Sequence, residues 1–384
     1  MTEHIYNRNY NVKVKILTPV HIGAGQEKNW IKGLDFIEQD GYVYPVDFNK
    51  LFTHIKISPD EVLGYFHQNN NISGLLQSKD ISFSEIATGH KYPFKGRASS
   101  TLKVHITGGL NNTPIIPGSS IKGAVRSILL KHLGIEQQSG NEKKVIGSSE
   151  KGDDLMRFIH FTDASFDKFK LYQTKIFNLF KKNEMSTDWN GGWKHGEFSN
   201  KYFLERNGKV NNRFTTTYQT ISIDGISTFR ISFSEKIFNQ YANRLNIIDK
   251  IREIITDNDP LTKLFWIINK YSSDYLEKEY NFFEKYKVRE TDIILEEINR
   301  INEDIPEKDD KSCVLRLAQG SGFYSVTGDW RFNDHFITLD TPDKKNKTKR
   351  YPAGTHYKSR KLAFEEADGM IRFYPMGFIK LIIS

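Results

Sequence analysis

Both ends of this chain are written as β-strands, and that restricts its fold more than any other feature. Near the N-terminus Val12, Val14 and Ile16 alternate with Lys13 and Lys15, the period-2 pattern of a strand with one wet face. The stretch from Ile371 to Ile383 returns to strand pattern around Pro375-Met376-Gly377-Phe378. Helical spacing falls in between. A chain that begins and ends in strands, with helices between them, suits an α+β sandwich better than a doubly wound sheet.

The most informative helix follows Ile116-Pro117-Gly118-Ser119-Ser120. Ile121, Val125, Ile128 and Leu129 share one face, Lys122 and Arg126 flank it, and Gly134 is a natural stop. Before it, His21-Ile22-Gly23-Ala24-Gly25 makes a glycine turn after Thr18-Pro19. A second strand is expected from Gly41 to Val46, then a helical stretch from Asp47 to Ile55. Ser58, Pro59 and Glu61 form a helix start with a capping box. After Gly134, Gln137 to Asp154 reads as a polar loop, and Phe158 to Phe166 as a strand ending in Asp163. Lys168 to Lys182 is expected as a helix, and Trp189 to Gly196 as a Gly/Trp-rich loop. Thr215 to Ile223 and Ser227 to Phe233 read as a hairpin turning at Asp224-Gly225. Helical spacing dominates Phe238 to Asp304, and Val314 to Leu317 is a strand entering Gln319-Gly320-Ser321-Gly322-Phe323.

Charge points to a partner. The 384 residues hold 55 Lys plus Arg against 47 Asp plus Glu, a net of +8. Asp249 to Asp310 carries 17 acidic and 10 basic residues, so its net of −7 leaves +15 on the rest. Lys344 to Lys361 contains eight basic residues and no acidic one. The commonest polyanion in a cell is nucleic acid. The lone Cys313 excludes an intrachain disulfide and a thiolate zinc site. No apolar run approaches the length of a membrane span, and the N-terminus lacks the order of a signal peptide. A soluble, cytoplasmic protein without membrane contact is expected.

Three glycine-rich loops adjoin regular elements: Gly23-Ala24-Gly25, Gly118-Ser119-Ser120 and Gly320-Ser321-Gly322. Glycine lets a backbone approach a phosphate and turn its N–H groups toward it, and a helix N-terminus adds a favourable dipole. The loop at Gly118 has both features, with Lys122 and Arg126 as cations within reach. None of the three has the spacing of a phosphate-binding loop or a dinucleotide fingerprint. Phe323, Tyr324 and Trp330 follow the third loop, and Tyr351, His356 and Tyr357 interleave with the basic run. That is the mixture of cations and rings that grips single-stranded RNA.

Leu17 to Gly25 resembles the first-strand motif of the RAMP superfamily of CRISPR effector complexes. Ile116 to Arg126 is similar to its second motif, and Gln319 to Phe323 to its C-terminal glycine loop. Lys358-Ser359-Arg360 with Pro375 to Leu381 resembles the ending of one subtype, the type III-A (Csm) subunit that caps the backbone filament at the crRNA 3′ end. The resemblance implies an α+β, ferredoxin-like core with helical insertions, spanning 1–237 and 306–384, with 238–305 as an acidic lobe facing protein neighbours. It implies a crRNA-binding, non-catalytic subunit that supports crRNA maturation and antiviral defence, needing no cofactor and no metal. His21, Gly23, Gly25, Gly118, Ser119, Ser120, Lys122, Arg126, Gly320, Gly322, Lys358 and Arg360 would line the RNA. Other type III subunits, target RNA and host nucleases would be its partners. A ribonuclease of the same superfamily, acting through His21 or Asp35, is the alternative. A different type III subunit and a phosphometabolite-binding enzyme also stand open.

Overall fold

The structure is a computed structural model that describes residues 8–88, 91–134, 147, 154–181, 189–196, 199–242, 249–307, 311–317, 338–339, 351–352, 359–367 and 369–384. Twelve elements carry the architecture. In chain order they are β1 (Arg8–Ile16), α1 (Gly118–His132), β2 (Ile159–Phe161), β3 (Phe169–Lys181), β4 (Thr215–Ile221) and β5 (Ile226–Phe233). There follow α2 (Pro260–Lys285), α3 (Thr291–Glu303), β6 (Ser312–Arg316), β7 (Ser359–Ala367), β8 (Met370–Pro375) and β9 (Phe378–Ile383).

The first sheet runs β6-β9-β1-β5-β2 with every neighbour antiparallel. Setting aside the edge strand β6, the order is that of a ferredoxin-like βαββαβ unit. In that unit α1 joins β1 to β2, and α2 follows β5. The expected alternation decides which face is covered. Val12, Val14 and Ile16 of β1 are buried with Phe229, Ile231 and Phe233 of β5. Ile121, Val125 and Leu129 of α1 and Leu261, Leu264, Phe265 and Ile268 of α2 close over them in one cluster. Burying such side chains contributes roughly 1.5–3 kcal/mol each, measured against exposure in an extended chain.

The segment 238–305 packs on this core through α2, whose first half joins the first cluster. Its far half, with α3, builds a second cluster against Phe177, Trp193, Phe364 and Phe373. Glu277, Glu284, Asp292, Glu296 and Glu303 lie on the outer faces of these helices, while Glu279 is buried.

The second sheet centres on β3, expected as a helix and observed as a thirteen-residue strand. It pairs with β4 over Phe169–Lys175, with Trp189–Lys194 over Phe177–Lys181, and on its other edge with β7. With both faces buried, Leu171 and Tyr172, and Gln173 and Thr174, are all interior. The alternation that marks a half-wet strand is therefore missing. Trp189–Lys194, expected as a loop, is a strand with Trp193 stacked on Phe373. Gly191 belongs there because a Cβ would lie 2.4 Å from the Tyr286 carbonyl.

The expected hairpin at Asp224-Gly225 is also corrected. β4 and β5 exist, but β4 pairs in the second sheet and β5 in the first. Asp224, at φ 61°, turns the chain from one to the other. β8 and β9 divide in the same way. The strand expected from Phe158 to Phe166 is two short ones, Ile159–Phe161 and Ala164–Ser165, in different sheets.

Candidate nucleic-acid interface

Directly opposed residues of an antiparallel pair point to the same face. On the face of the first sheet turned away from α1 and α2, Asn9 opposes Ser232, Asn11 opposes Arg230 and Lys13 opposes Thr228. His160 extends this polar row across β2, opposite Ser232. Asn11, Thr162, Thr228, Phe229, Arg230 and Ser384 line a concavity of about 570 Å³. Lys15 is tied to Asp224 at 3.1 Å and Lys380 to Asp304 at 3.0 Å. Lys13 and Arg230 are exposed and form no ion pair among the described residues. They give this face unneutralised positive charge. Lys13 was legible in the sequence as the wet half of an alternation. Arg230 was missed, because only the register brings it beside β1.

The Gly118 loop lies at the edge of that face, but it is not an open cradle of amides. The Gly118 N–H donates to Oδ1 of Asp163 at 2.8 Å, and the N–H groups of Ser120 and Ile121 bond back to the Pro117 carbonyl. Gly118 is buried, and a Cβ there would lie 2.1 Å from the Phe161 carbonyl. Close packing of helix on strand is thus what requires glycine at 118. Ser119 is exposed at the helix N-terminus and Ser120 is half-buried. Burial lowers the Lys122 ammonium from its ordinary pKa, against an opposing pull from Asp154. Its charge reaches the His160 ring, lowered first by burial and then by Lys122. Arg126 lies one turn further along α1.

The other expected site residues disperse. His21 is 3% exposed, and its Nδ1–H donates to the Gln219 carbonyl at 2.8 Å. Burial holds its pKa down to about 4. His105 lies edge-on to it, accepting the Ile22 N–H at Nδ1 and donating from Nε2 to the Ile115 carbonyl. This interior pair pins the glycine turn. Gly23 bridges His105, and Gly25 turns at φ 121°. The Asp35 carboxylate accepts the Ile31 N–H at 2.7 Å, closing a local turn, and burial raises its pKa. Arg360, expected to line the RNA, lies in the interior of the fold. It is 7% exposed, donates to both oxygens of Glu279 at 2.7 and 2.8 Å, and lies 3.9 Å over the Phe282 ring. Gly320, Gly322 and Lys358 lie outside the described residues, as do Phe323, Tyr324, Trp330, His356 and Tyr357. Among the described residues no group of three His, Cys, Asp or Glu side chains could hold a metal ion. No helix among them is long and apolar enough to cross a membrane.

A ferredoxin-like sheet with a glycine loop opening its first helix is the frame of a known family, and the chain belongs to it. The RAMP superfamily model matches residues 13–311. A relative from Methanocaldococcus jannaschii, the CRISPR system Cms protein Csm5, is 24% identical over 356 residues, covering 84% of this chain and 74% of the relative. The endoribonuclease Csm3 of Enterococcus italicus is 42% identical over 62 residues, 14% of this chain and 29% of that protein. Among solved structures, the Csm5 crystal structure from T. onnurineus matches with a TM-score of 0.52 at 15% identity, over 83% of this chain and 90% of that one. A chain of a Csm–crRNA–target RNA ternary complex matches with a TM-score of 0.61 at 15% identity, over 98% and 100%. The shared fold extends across nearly the whole chain.

Proposed function

We propose that this chain is the RNA-binding, backbone-capping subunit of a type III-A CRISPR interference (Csm) complex, and that it holds the 3′ portion of the crRNA. The observation that carries RNA binding is the uncovered sheet face, where exposed Lys13 and Arg230 flank a polar concavity. Single-stranded RNA is gripped along its phosphates by such a surface. The place in the complex is supported by the similarity to Csm5 along most of both chains. Csm neighbours and target RNA follow as partners, the cytoplasm as location, and host nucleases as the trimming activity in crRNA maturation. His21, buried and bonded to the backbone, and Asp35, committed to its own turn, support binding rather than cutting.

The test is to express the chain with a guide array and the remaining Csm subunits, purify it under native conditions and sequence the bound RNA. A ladder of short RNAs sharing a 5′ end is the expected result. Purification without RNA would overturn the reading. A second reading, metal-dependent ribonuclease action through Asp35, draws on the 62-residue similarity to the Csm3 endoribonuclease. It requires Mg²⁺-dependent cleavage of labelled RNA that Asp35→Asn abolishes.

A further inference from the structure

A second concave surface lies apart from the basic face. It is a groove of about 1180 Å³ between α3 and the strand β8. Two properties mark it out.

The first is an unpaired sheet edge. β8 hydrogen-bonds to β7 along one side, and among the described residues no strand pairs with the other. A bare edge presents a row of backbone donors and acceptors to any extended chain laid beside it. The walls match in length. Six strand residues span ~20 Å, and the thirteen-residue helix opposite spans ~20 Å.

The second is charge. Six carboxylates and three guanidiniums line the groove of a protein whose net charge is +8. Several are matched internally. Glu284 pairs with Lys287, Glu290 accepts the Trp193 indole N–H, and Glu297 holds Arg300 and lies near Arg372. Asp292, Glu296 and Glu303 remain on the α3 wall with no ion pair among the described residues, against Arg289. Such a surface repels RNA and attracts cations. Between the charges lie two exposed apolar side chains, Met370 at 61% and Ile293 at 40%.

We propose that this groove docks an extended, lysine- or arginine-bearing segment of a neighbouring protein, which adds as a strand to the free edge of β8. Its alternate side chains would meet Asp292, Glu296 and Glu303 on one side, and Ile293 with Met370 on the other. The inference goes beyond the RNA reading and does not depend on it.

The probe is a fluorescein-labelled octapeptide of alternating Lys and Val, titrated into the full chain by anisotropy without RNA. An alternating Glu–Val octapeptide and a Lys–Val octapeptide carrying two prolines serve as controls. Both controls, and the Asp292→Lys/Glu296→Lys/Glu303→Lys variant, are expected to bind about tenfold more weakly. Hydrogen exchange should show new protection at Met370–Phe373 when the Lys–Val peptide binds. Equal binding of the Glu–Val peptide, or protection confined to other segments, overturns the proposal. Self-association that the triple variant abolishes would overturn it in favour of a second copy of this chain. RNA binding of the same variant, measured separately, keeps failure here distinct from failure of the RNA reading.

Discussion

Asp163 closes the N-terminus of α1 from 45 residues away, its Oδ1 accepting the Gly118 N–H at 2.8 Å. A carboxylate there satisfies an orphan donor and complements the helix dipole, as an adjacent capping residue would. The family-like motif is thus held by the short link that follows β2, the strand it packs on. Asp163→Ala should lower stability by ~1–2 kcal/mol in urea unfolding. Gly118→Ala should cost more, since its Cβ would meet the Phe161 carbonyl at 2.1 Å. Unchanged midpoints for both would show that the loop is not built on this contact.

Arg360 and Glu279 form a buried pair, so removing one partner strands a charge. Arg360→Ala should lose ~3–5 kcal/mol. Arg360→Met with Glu279→Leu should recover most of that loss, because two apolar groups leave no charge uncompensated. A double-mutant cycle by urea unfolding measures the coupling. RNA affinity of the folded double variant should stay unchanged, which separates an interior anchor from an RNA ligand.

Acid should weaken the fold through its interior histidines. Burial is the largest cause lowering both rings, to about 4 for His21 and about 3 for His105, with His21 further lowering His105. In the unfolded chain both titrate near ~6.5, so between that value and the folded one the unfolded state binds more protons. Stability is therefore complete above pH ~6.5 and falls by roughly 1.4 kcal/mol per pH unit per histidine as pH drops toward 4. Urea midpoints at pH 7.5, 6.0 and 5.0 check this. A flat profile between 6.5 and 5 would mean that the two rings are not buried neutral.

What could be read from the sequence follows from which elements keep a wet face. β1 and α1 each bury one side, so Val12, Val14 and Ile16, and Ile121, Val125 and Leu129, announced their elements through period alone. β3 has no wet face. Its interior holds Lys175, whose ammonium is bonded to the Asn211 and Arg213 carbonyls, and a buried lysine in a run of mixed residues carries no strand signature. The glycine turn at Gly23, the loop at Gly118 and the basic tail were visible as motifs. Their physical roles were not, because the partners that decide them lie far along the chain. His105 faces His21, Asp163 faces Gly118, and Glu279 faces Arg360. Arg230 became a candidate ligand only through its register opposite Asn11.

That register makes the sharpest claim about RNA. If phosphates run over the open face of the first sheet, Lys13 and Arg230 each neutralise about one phosphate. Lys13→Ala with Arg230→Ala should then weaken single-stranded RNA binding across sequences and lower the slope of log K against log salt by about 1.4, at 0.7 per contact. Both residues are exposed and unpaired among the described residues, so the fold should tolerate the change. Lys122→Ala with Arg126→Ala tests the neighbouring helix in the same filter-binding titration. If the strand passes from the N-terminus of α1 across β2 to β1, the two double variants should each flatten the slope, and the quadruple variant should flatten it by their sum. A slope that responds to Lys122 and Arg126 but not to Lys13 and Arg230 would move the RNA path off the sheet and along α1 alone.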